Sequence, residues 1–206
     1  MRWRAVLMTL CMVAALDAGC GTSPASRFYT LSPAAGTSPA PPGKSTAPTA
    51  TASLCVTVGP VSVPAVVDRP QIVVSTGANE VRLDEFNRWA SPLQDNLARV
   101  IAENLVVMLG TPRVSLFPQT LTTDADYRVA IEVQRFESTP GKSAVLDAVW
   151  IVRPMKEGKA QTGRSGVIEK VADNSYDALA AAHSRAVARL SQDIADAVLA
   201  LDRTAR

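Results

Sequence analysis

Short apolar runs from residue 54 onwards predict β-strands in the first half of the chain. Leu54–Val63 and Gln71–Ser75 are rich in Val and are bounded by Pro, Asp or Gly, which is typical of strands. In Glu80–Leu83, apolar and charged side chains alternate with a period of two, as they do in a strand with one buried face. The Gly77-Ala78-Asn79 turn before this last segment predicts a hairpin.

Two longer segments show the three-to-four-residue spacing of apolar side chains that indicates amphipathic helices. The first helix is predicted to begin with Ser91 as its N-cap and Pro92 at its first position, and to end at Gly110. The second is predicted from about Tyr176 to Leu201, and its apolar stripe includes His183. Each helix therefore has one face suited to packing against a sheet.

Further strands are predicted between and after these positions, at Val114–Phe117, Tyr127–Gln134, Val145–Arg153 and Thr162–Ala172. Val145–Arg153 is apolar on both faces over part of its length, which favours a central place in the sheet. The sum is an α+β fold, with a mostly antiparallel β-sheet and two amphipathic helices packed on one face as an α/β sandwich. The opposite face, or the rim around the first hairpin, would then be free for partners.

The composition of the N-terminal part differs from that of the rest. Residues 32–53 are almost wholly Pro, Ala, Ser, Thr and Gly, which indicates a flexible connection. The β-prone stretch 27–31 precedes this connection, so we expect it to dock as a strand on the single domain formed by residues 54–206. About seven residues would then separate the docked strand from Cys20, and their reach is about 20–25 Å.

Cys20 follows a segment with the layout of a lipoprotein signal peptide. Arg2 and Arg4 give a positive start, and the apolar run that follows is shorter than the roughly 20 residues that span a bilayer. We therefore expect residues 1–19 to be removed and Cys20 to become the lipidated first residue of the segment 20–53.

The alternative is an ordinary cleaved signal peptide without a lipid. Asp17 supports this alternative, because the usual lipoprotein signal has an aliphatic residue three places before the cysteine. A free Cys20 thiol could then form a disulfide with Cys55. If Cys20 is lipidated, Cys55 has no partner and is expected to be a small buried apolar residue. Gly21 after the cysteine, in place of Asp, favours the outer membrane with the domain facing the periplasm.

The residue inventory argues against several classes of function. The 21 Lys and Arg nearly balance the 19 Asp and Glu, and the sequence has no basic run, so it does not indicate a nucleic-acid binder. His183 is the one histidine, and its place on an apolar stripe indicates a structural role. After removal of residues 1–19, Cys55 is the one cysteine other than Cys20. One histidine and one free thiol are too few for a transition-metal site. We therefore expect no enzyme activity and no cofactor; a hydrolase would need polar groups converging on His183 in a cleft.

Phe86, Arg88 and Trp89 are candidate partner contacts at the corner between a strand and the first helix. An exposed aromatic residue at such a place could anchor a partner. Core packing is the alternative for Trp89, as it is for Trp150.

The turn before the second predicted strand is another candidate contact, formed by Asp68, Arg69, Pro70 and Gln71. The alternative there is purely local, with Arg69 paired to a neighbour and Pro70 setting the turn.

Several motifs follow one another along nearly the whole chain after Cys20. They are Arg27-Phe28-Tyr29-Thr30-Leu31, Val58-Gly59-Pro60-Val61, Asp68-Arg69-Pro70-Gln71-Ile72-Val73, and Glu85-Phe86-Asn87-Arg88-Trp89-Ala90 continued by Pro92-Leu93, Leu97-Ala98-Arg99-Val100 and Asn104-Leu105. In this order they resemble the ABC-type transport auxiliary lipoproteins, the PqiC-like (YmbA-like) group. The chain departs from the pattern by Asp17 and by the long Ala/Pro/Thr-rich insert between the first two motifs.

The resemblance implies a non-catalytic outer-membrane lipoprotein that partners an MCE-domain (mammalian cell entry) protein. Such systems carry phospholipid or other hydrophobic molecules between the inner and outer membranes, some with an ABC transporter made of an ATPase and a permease. The resemblance also suggests a docking or capping role and a homo-oligomeric ring as one form of assembly. The alternative is a periplasmic lipid-binding carrier that holds an acyl chain between its helices and its sheet.

Overall fold

The computed structural model describes residues 24–34, 54–118 and 125–205. The signal segment 1–19, Cys20 and residues 35–53 lie outside the described residues. In chain order the elements are β1 (Arg27–Tyr29), β2 (Val56–Ser62), β3 (Gln71–Ser75), β4 (Val81–Trp89), α1 (Leu93–Met108), β5 (Val114–Leu116), β6 (Tyr127–Thr139), β7 (Ser143–Pro154), β8 (Gln161–Lys170) and α2 (Tyr176–Ala205).

The strands form a five-stranded sheet in the order β5-β2-β6-β7-β8 and a separate three-stranded sheet in the order β1-β4-β3. In the larger sheet the long strands β6, β7 and β8 are antiparallel, whereas β2 pairs parallel with both β5 and β6. The predicted α+β class is confirmed, and antiparallel pairing covers the longest strands. The strands divide into two mixed sheets, however, where the sequence predicted one.

The three-stranded sheet contains the predicted hairpin and the predicted N-terminal strand. β3 and β4 are antiparallel, as expected from the turn between them. β1 lies on the other side of β4 and runs parallel to it, with Arg27 opposite Asn87 and Tyr29 opposite Trp89. The stretch at residues 27–31 therefore docks on the domain, and Leu31 just beyond β1 is 1% exposed.

Both helices pack against one face of the five-stranded sheet. α2 lies on β6, β7 and β8, while α1 lies on β2 and β5 and also contacts α2. The buried stripe of α2 includes Leu190 and Ile194, and that of α1 includes Leu97 and Ile101. The sheet supplies the facing side chains from alternate positions of its strands, among them Val129, Leu146 and Val152.

The helix boundaries differ slightly from the predicted ones. Pro92, not Ser91, is the N-cap of α1, and no side chain hydrogen-bonds to the first turn. Gly110 follows the helix with a positive φ of 65°, a conformation that favours glycine and ends helices. At the start of α2, the Ser175 hydroxyl accepts a hydrogen bond from the Ala178 amide at 3.1 Å and caps the helix.

Three residues with open or competing interpretations lie inside the core. Trp89 and Trp150 are 5% and 6% exposed, and Cys55 is fully buried with a free thiol. The Trp150 indole N–H donates to the Ser165 hydroxyl at 3.0 Å, which satisfies its one polar group. Core packing is therefore confirmed for both tryptophans, and the buried apolar role is confirmed for Cys55.

Neither α1 nor α2 has the combination of length and apolar character that a helix needs to cross a membrane.

Candidate docking site

The two segments that the sequence singled out meet at one place on the surface. Gln71 of β3 lies opposite Arg88 of β4 in the strand register. The Trp89 amide donates a hydrogen bond to the Pro70 carbonyl oxygen at 2.7 Å, which closes the end of the hairpin. β1 adds a third strand, because Phe28 lies opposite Arg88. We call this surface the corner, formed by Phe28, Asp68, Arg69, Pro70, Gln71, Phe86 and Arg88.

Apolar and polar side chains alternate on the surface of the corner. Phe28 is 64% exposed and Phe86 is 41% exposed, which is unusual for phenylalanine. Glu85 binds two polar neighbours on this surface. Its carboxylate accepts a hydrogen bond from the Gln71 side-chain amide at 3.3 Å and forms an ion pair with Arg88 at 3.6 Å. The corner therefore offers aromatic surface bordered by a polar network.

Trp89 does not belong to this exposed surface. Its ring packs edge-on against Phe136 with centroids 6.1 Å apart, beneath the corner. It supports the corner from inside, and the expectation of an exposed tryptophan anchor is wrong. The physical reason is strand alternation, because Trp89 lies opposite the inward-facing Tyr29.

Arg69 also differs from its simplest expectation. No ion pair involves Arg69 within the described part of the chain, and its buried Nε has no hydrogen-bond partner. The local pairing considered from the sequence is therefore absent there, whereas Pro70 lies in a bend directly before β3.

A partly buried polar cluster holds the corner in shape from below. The Asp84 carboxylate accepts hydrogen bonds from the amides of Phe86 and Asn87 at 3.0 and 2.9 Å, and from the Tyr176 hydroxyl at 2.7 Å. The Tyr29 hydroxyl donates to the Asn87 side-chain oxygen at 2.8 Å. These bonds join β1, β4 and the first turn of α2, so the backbone that carries Phe86 is fixed by elements far apart in sequence.

The ionisation of this cluster follows from its contacts. Burial opposes the charge on Asp84. Hydrogen bonds from the side chains of Tyr176 and Asn87, and from the backbone amides of Phe86 and Asn87, nevertheless hold its pKa below the ordinary value. Burial, together with the bond to Asp84, raises the pKa of Tyr176 to about 12. Sequence reasoning missed this pair, because 92 residues separate its members and neither stands in a recognisable motif.

The chain beyond β1 is also fixed to the domain. The Arg99 guanidinium donates to the Leu31 carbonyl oxygen at 2.7 Å, and the Leu31 amide donates to the buried Asn96 side chain at 3.3 Å. The Ser32 amide donates to the Ser184 hydroxyl of α2 at 3.0 Å, and the Ala34 amide donates to Asn104 at 2.9 Å. Residues 27–34 therefore form part of the rigid domain.

His183 lies in the core as predicted. Its Nε2 is 2.8 Å from the Ser138 hydroxyl, and its ring stacks on Phe136 with centroids 3.8 Å apart. Burial lowers the pKa of His183 to about 3, so the ring is neutral at physiological pH. His183 and Ser138 are 0% and 2% exposed, and Nδ1 has no partner, so this pair does not lie in a cleft with converging polar groups.

Two solved structures share the fold at low sequence identity. A crystal structure of an uncharacterized protein has a TM-score of 0.66 and 20% identity, and the alignment covers 85% of this chain and 99% of that chain. Protein XCC0632 from Xanthomonas campestris has a TM-score of 0.60 and 19% identity, with 73% of this chain and 86% of that chain covered. Identities this low establish a similar fold alone. No curated protein matches the sequence.

A family comparison covers most of the chain. The family described as "ABC-type transport auxiliary lipoprotein component" matches residues 29–195, which include β2 to β8, α1 and most of α2. The match agrees with the resemblance drawn from the sequence motifs. The chain therefore belongs to the ABC-type transport auxiliary lipoprotein component family.

Proposed function

We propose that this protein is a lipid-anchored docking component of an MCE-type transport system at the periplasmic face of the outer membrane. Membership of its family makes it an accessory component of ABC-type transport, anchored in the cell envelope as a lipoprotein, and the family is not one of enzymes. The MCE-domain partner, with its ATPase and permease, and the outer-membrane location are the further steps of the proposal. Cys20 followed by Gly21 supports the location.

The observation that carries the proposal is the position of the corner beside the anchored end of the chain. Phe28 is the eighth residue after Cys20, and it lies in β1 directly opposite Arg88 of the corner. Because residues 27–34 are fixed to the domain, a lipid on Cys20 would hold the corner within about 25 Å of the membrane. A partner that ends at this membrane would meet the corner there.

The side chains of the corner suit contact with another protein. Phenylalanine and arginine are both enriched in protein interfaces relative to the rest of the surface. Phe28 and Phe86 would supply apolar contacts, while Gln71, Arg88 and the turn at residues 68–70 would supply polar ones. The partly buried cluster around Asp84 fixes the backbone in advance, which reduces the entropy lost on binding.

Nothing in the described residues favours a carrier that holds an acyl chain between its helices and its sheet. The space between the helices and the sheet is occupied by packed side chains from both layers, including Val129, Leu146, Leu190 and Ile194, each at 0% exposure. An acyl chain would have to displace these residues.

The test is recovery of the MCE-domain protein with the lipidated full-length chain. We expect Phe86→Ser and Arg88→Glu each to lower recovery about tenfold, because each removes one contact of the hot-spot type. Ile168→Ser is the matched control, since Ile168 is 74% exposed on the other sheet. Unchanged recovery with both corner variants would remove the corner from the proposal.

The anchor is tested separately from the contact. Cys20→Ser should shift the protein from the membrane fraction to the soluble fraction, and mass spectrometry of the mature N-terminus should show acyl chains only when Cys20 is present. An unacylated native N-terminus would exclude the lipid anchor.

A further inference from the structure

The face of the five-stranded sheet opposite the helices carries a groove of two joined depressions. The first has a volume of about 310 Å³ and is lined by Pro60, Arg128, Ala130, Ile151, Arg153 and Met155. The second has a volume of about 280 Å³ and shares Pro60, Ala130 and Ile151 with the first, before extending to Val149 and Thr162. We call the two together the open-face groove.

One end of the open-face groove is positively charged. Arg128 of β6 and Arg153 of β7 lie directly opposite each other in the antiparallel register. Side chains in such positions have Cβ atoms about 5 Å apart, and like charges there repel. The guanidinium of Arg128 lies 4.6 Å above the Phe117 ring, and its buried Nε has no hydrogen-bond partner.

These two arginines differ from the others on the same face. Arg135 is paired with Glu137, and Arg164 is paired with Asp147. Among the described residues, no carboxylate forms an ion pair with Arg128 or Arg153. Two adjacent positive charges without a counter-charge complement an anion that would satisfy both.

The remainder of the open-face groove is mainly apolar. The Ala130–Ile151 pair follows the arginine pair along the strands, and the Glu132–Val149 pair comes next. Successive pairs on one face are about 7 Å apart, so the apolar track extends about 14 Å from the arginines. The exposed Met155 lies beside the arginines and adds apolar surface at that end. Glu132 at the far end would repel a second anionic group.

We propose that the open-face groove binds a phosphate monoester that carries an alkyl chain. The phosphate lies between Arg128 and Arg153, and the chain lies along Ala130 and Ile151. A phosphate monoester has a charge near −2 at neutral pH, which balances the two guanidinium groups, and each guanidinium can bind it through two N–H groups. A concave apolar surface with a few polar groups at one end is typical of small-molecule sites. This site is on a different sheet from the corner and does not depend on the docking function.

Calorimetric titration of the full-length protein in phosphatidylcholine nanodiscs, with empty nanodiscs as reference, tests the proposal. Hexyl phosphate is the probe. Inorganic phosphate tests the phosphate group alone, and hexanol tests the alkyl chain alone. We expect hexyl phosphate to bind more tightly than either. Arg153→Gln and Arg128→Gln should each weaken it about tenfold, as expected for loss of a charged hydrogen bond. Ile151→Ser should weaken hexyl phosphate and leave inorganic phosphate unchanged.

Arg82→Gln is the matched control, because Arg82 is an exposed arginine of the other sheet and the variant makes the same change of charge. Arg153→Gln decides the outcome, since Arg153 is exposed and its loss leaves the Arg128–Phe117 contact intact. Binding unaffected by Arg153→Gln would overturn the proposal, as would equal affinity for inorganic phosphate. An acidic peptide that binds more tightly through the same arginines would replace the alkyl phosphate with a protein ligand.

Discussion

His183 shows, at the scale of single residues, how a polar side chain is held within the core. Its single hydrogen bond to Ser138 and its stacking on Phe136 accommodate a neutral ring. Its burial could be predicted from the apolar stripe of α2, but its partner could not, because Ser138 is 45 residues away on a strand. For Trp89 the burial itself could not be predicted, since the sequence alone could not decide which face of β4 its side chain occupies.

The neutral state of His183 makes the stability of the protein sensitive to acid. The pKa is about 3 in the folded protein and about 6.5 when unfolded, so the unfolded chain binds the extra proton between these values. The free energy of unfolding should therefore fall as pH decreases from about 6.5 towards 3, by up to about 1.4 kcal/mol per pH unit from this residue.

Urea unfolding at several pH values measures this slope. The double variant Ser138→Ala, His183→Leu removes the titrating group together with its hydrogen-bond partner and leaves neither group unpaired. Its slope between pH 6.5 and 4.5 should be smaller than that of the unchanged protein. Identical slopes would show that His183 does not govern acid stability in this range.

The contact between β7 and β8, at the scale of secondary-structure elements, depends on a residue without a side chain. Gly163 lies opposite Trp150, and a Cβ atom at Gly163 would be 2.2 Å from the Trp150 ring. The sequence predicted both strands but not this requirement, because it arises from cross-strand register.

Gly163→Ala should destabilise the protein by about 1–3 kcal/mol, because the indole has to move within a packed core. Gly166→Ala is the control on the same strand, since a Cβ there meets nothing within 4 Å. Denaturant unfolding of both variants gives the comparison. Equal stability of the two would mean that the ring of Trp150 adapts freely.

The N-terminal segment is an element that was predicted to dock, but its partners could not be predicted. Arg99 binds the Leu31 carbonyl and also pairs with Glu103 one turn further along α1. Parallel pairing of β1 with β4 joins residues about 60 positions apart, which no local pattern reports.

Arg99→Gln should loosen this segment and raise the hydrogen-exchange rate of the Leu31 and Ser32 amides about tenfold, as expected for loss of a charged hydrogen bond. Glu103→Gln is the control, because it removes the ion pair and keeps the bond to Leu31. Exchange rates that rise equally in both variants would assign the effect to the ion pair.

In the molecule as a whole, both helices pack on one face of the five-stranded sheet, and the other face of that sheet and the corner remain accessible. Periodicity was sufficient for the α+β class, both helices and most strands. It did not reveal the division into two sheets, because β2 pairs parallel with β5 on one side and with β6 on the other, and both pairings skip over intervening elements. For the candidate site, the sequence identified Gln71, Phe86 and Arg88, while Asp84 and Tyr176 emerged only from the fold.

The rigid attachment of residues 27–34 has a consequence for affinity. A lipid at Cys20 would restrict the search for a membrane-bound partner to two dimensions, so that the two proteins meet at a higher local concentration than in dilute solution. An interface that is weak in dilute solution would then be mostly occupied. The few exposed side chains of the corner would suffice for a complex that forms readily at the membrane and dissociates quickly when transport requires it.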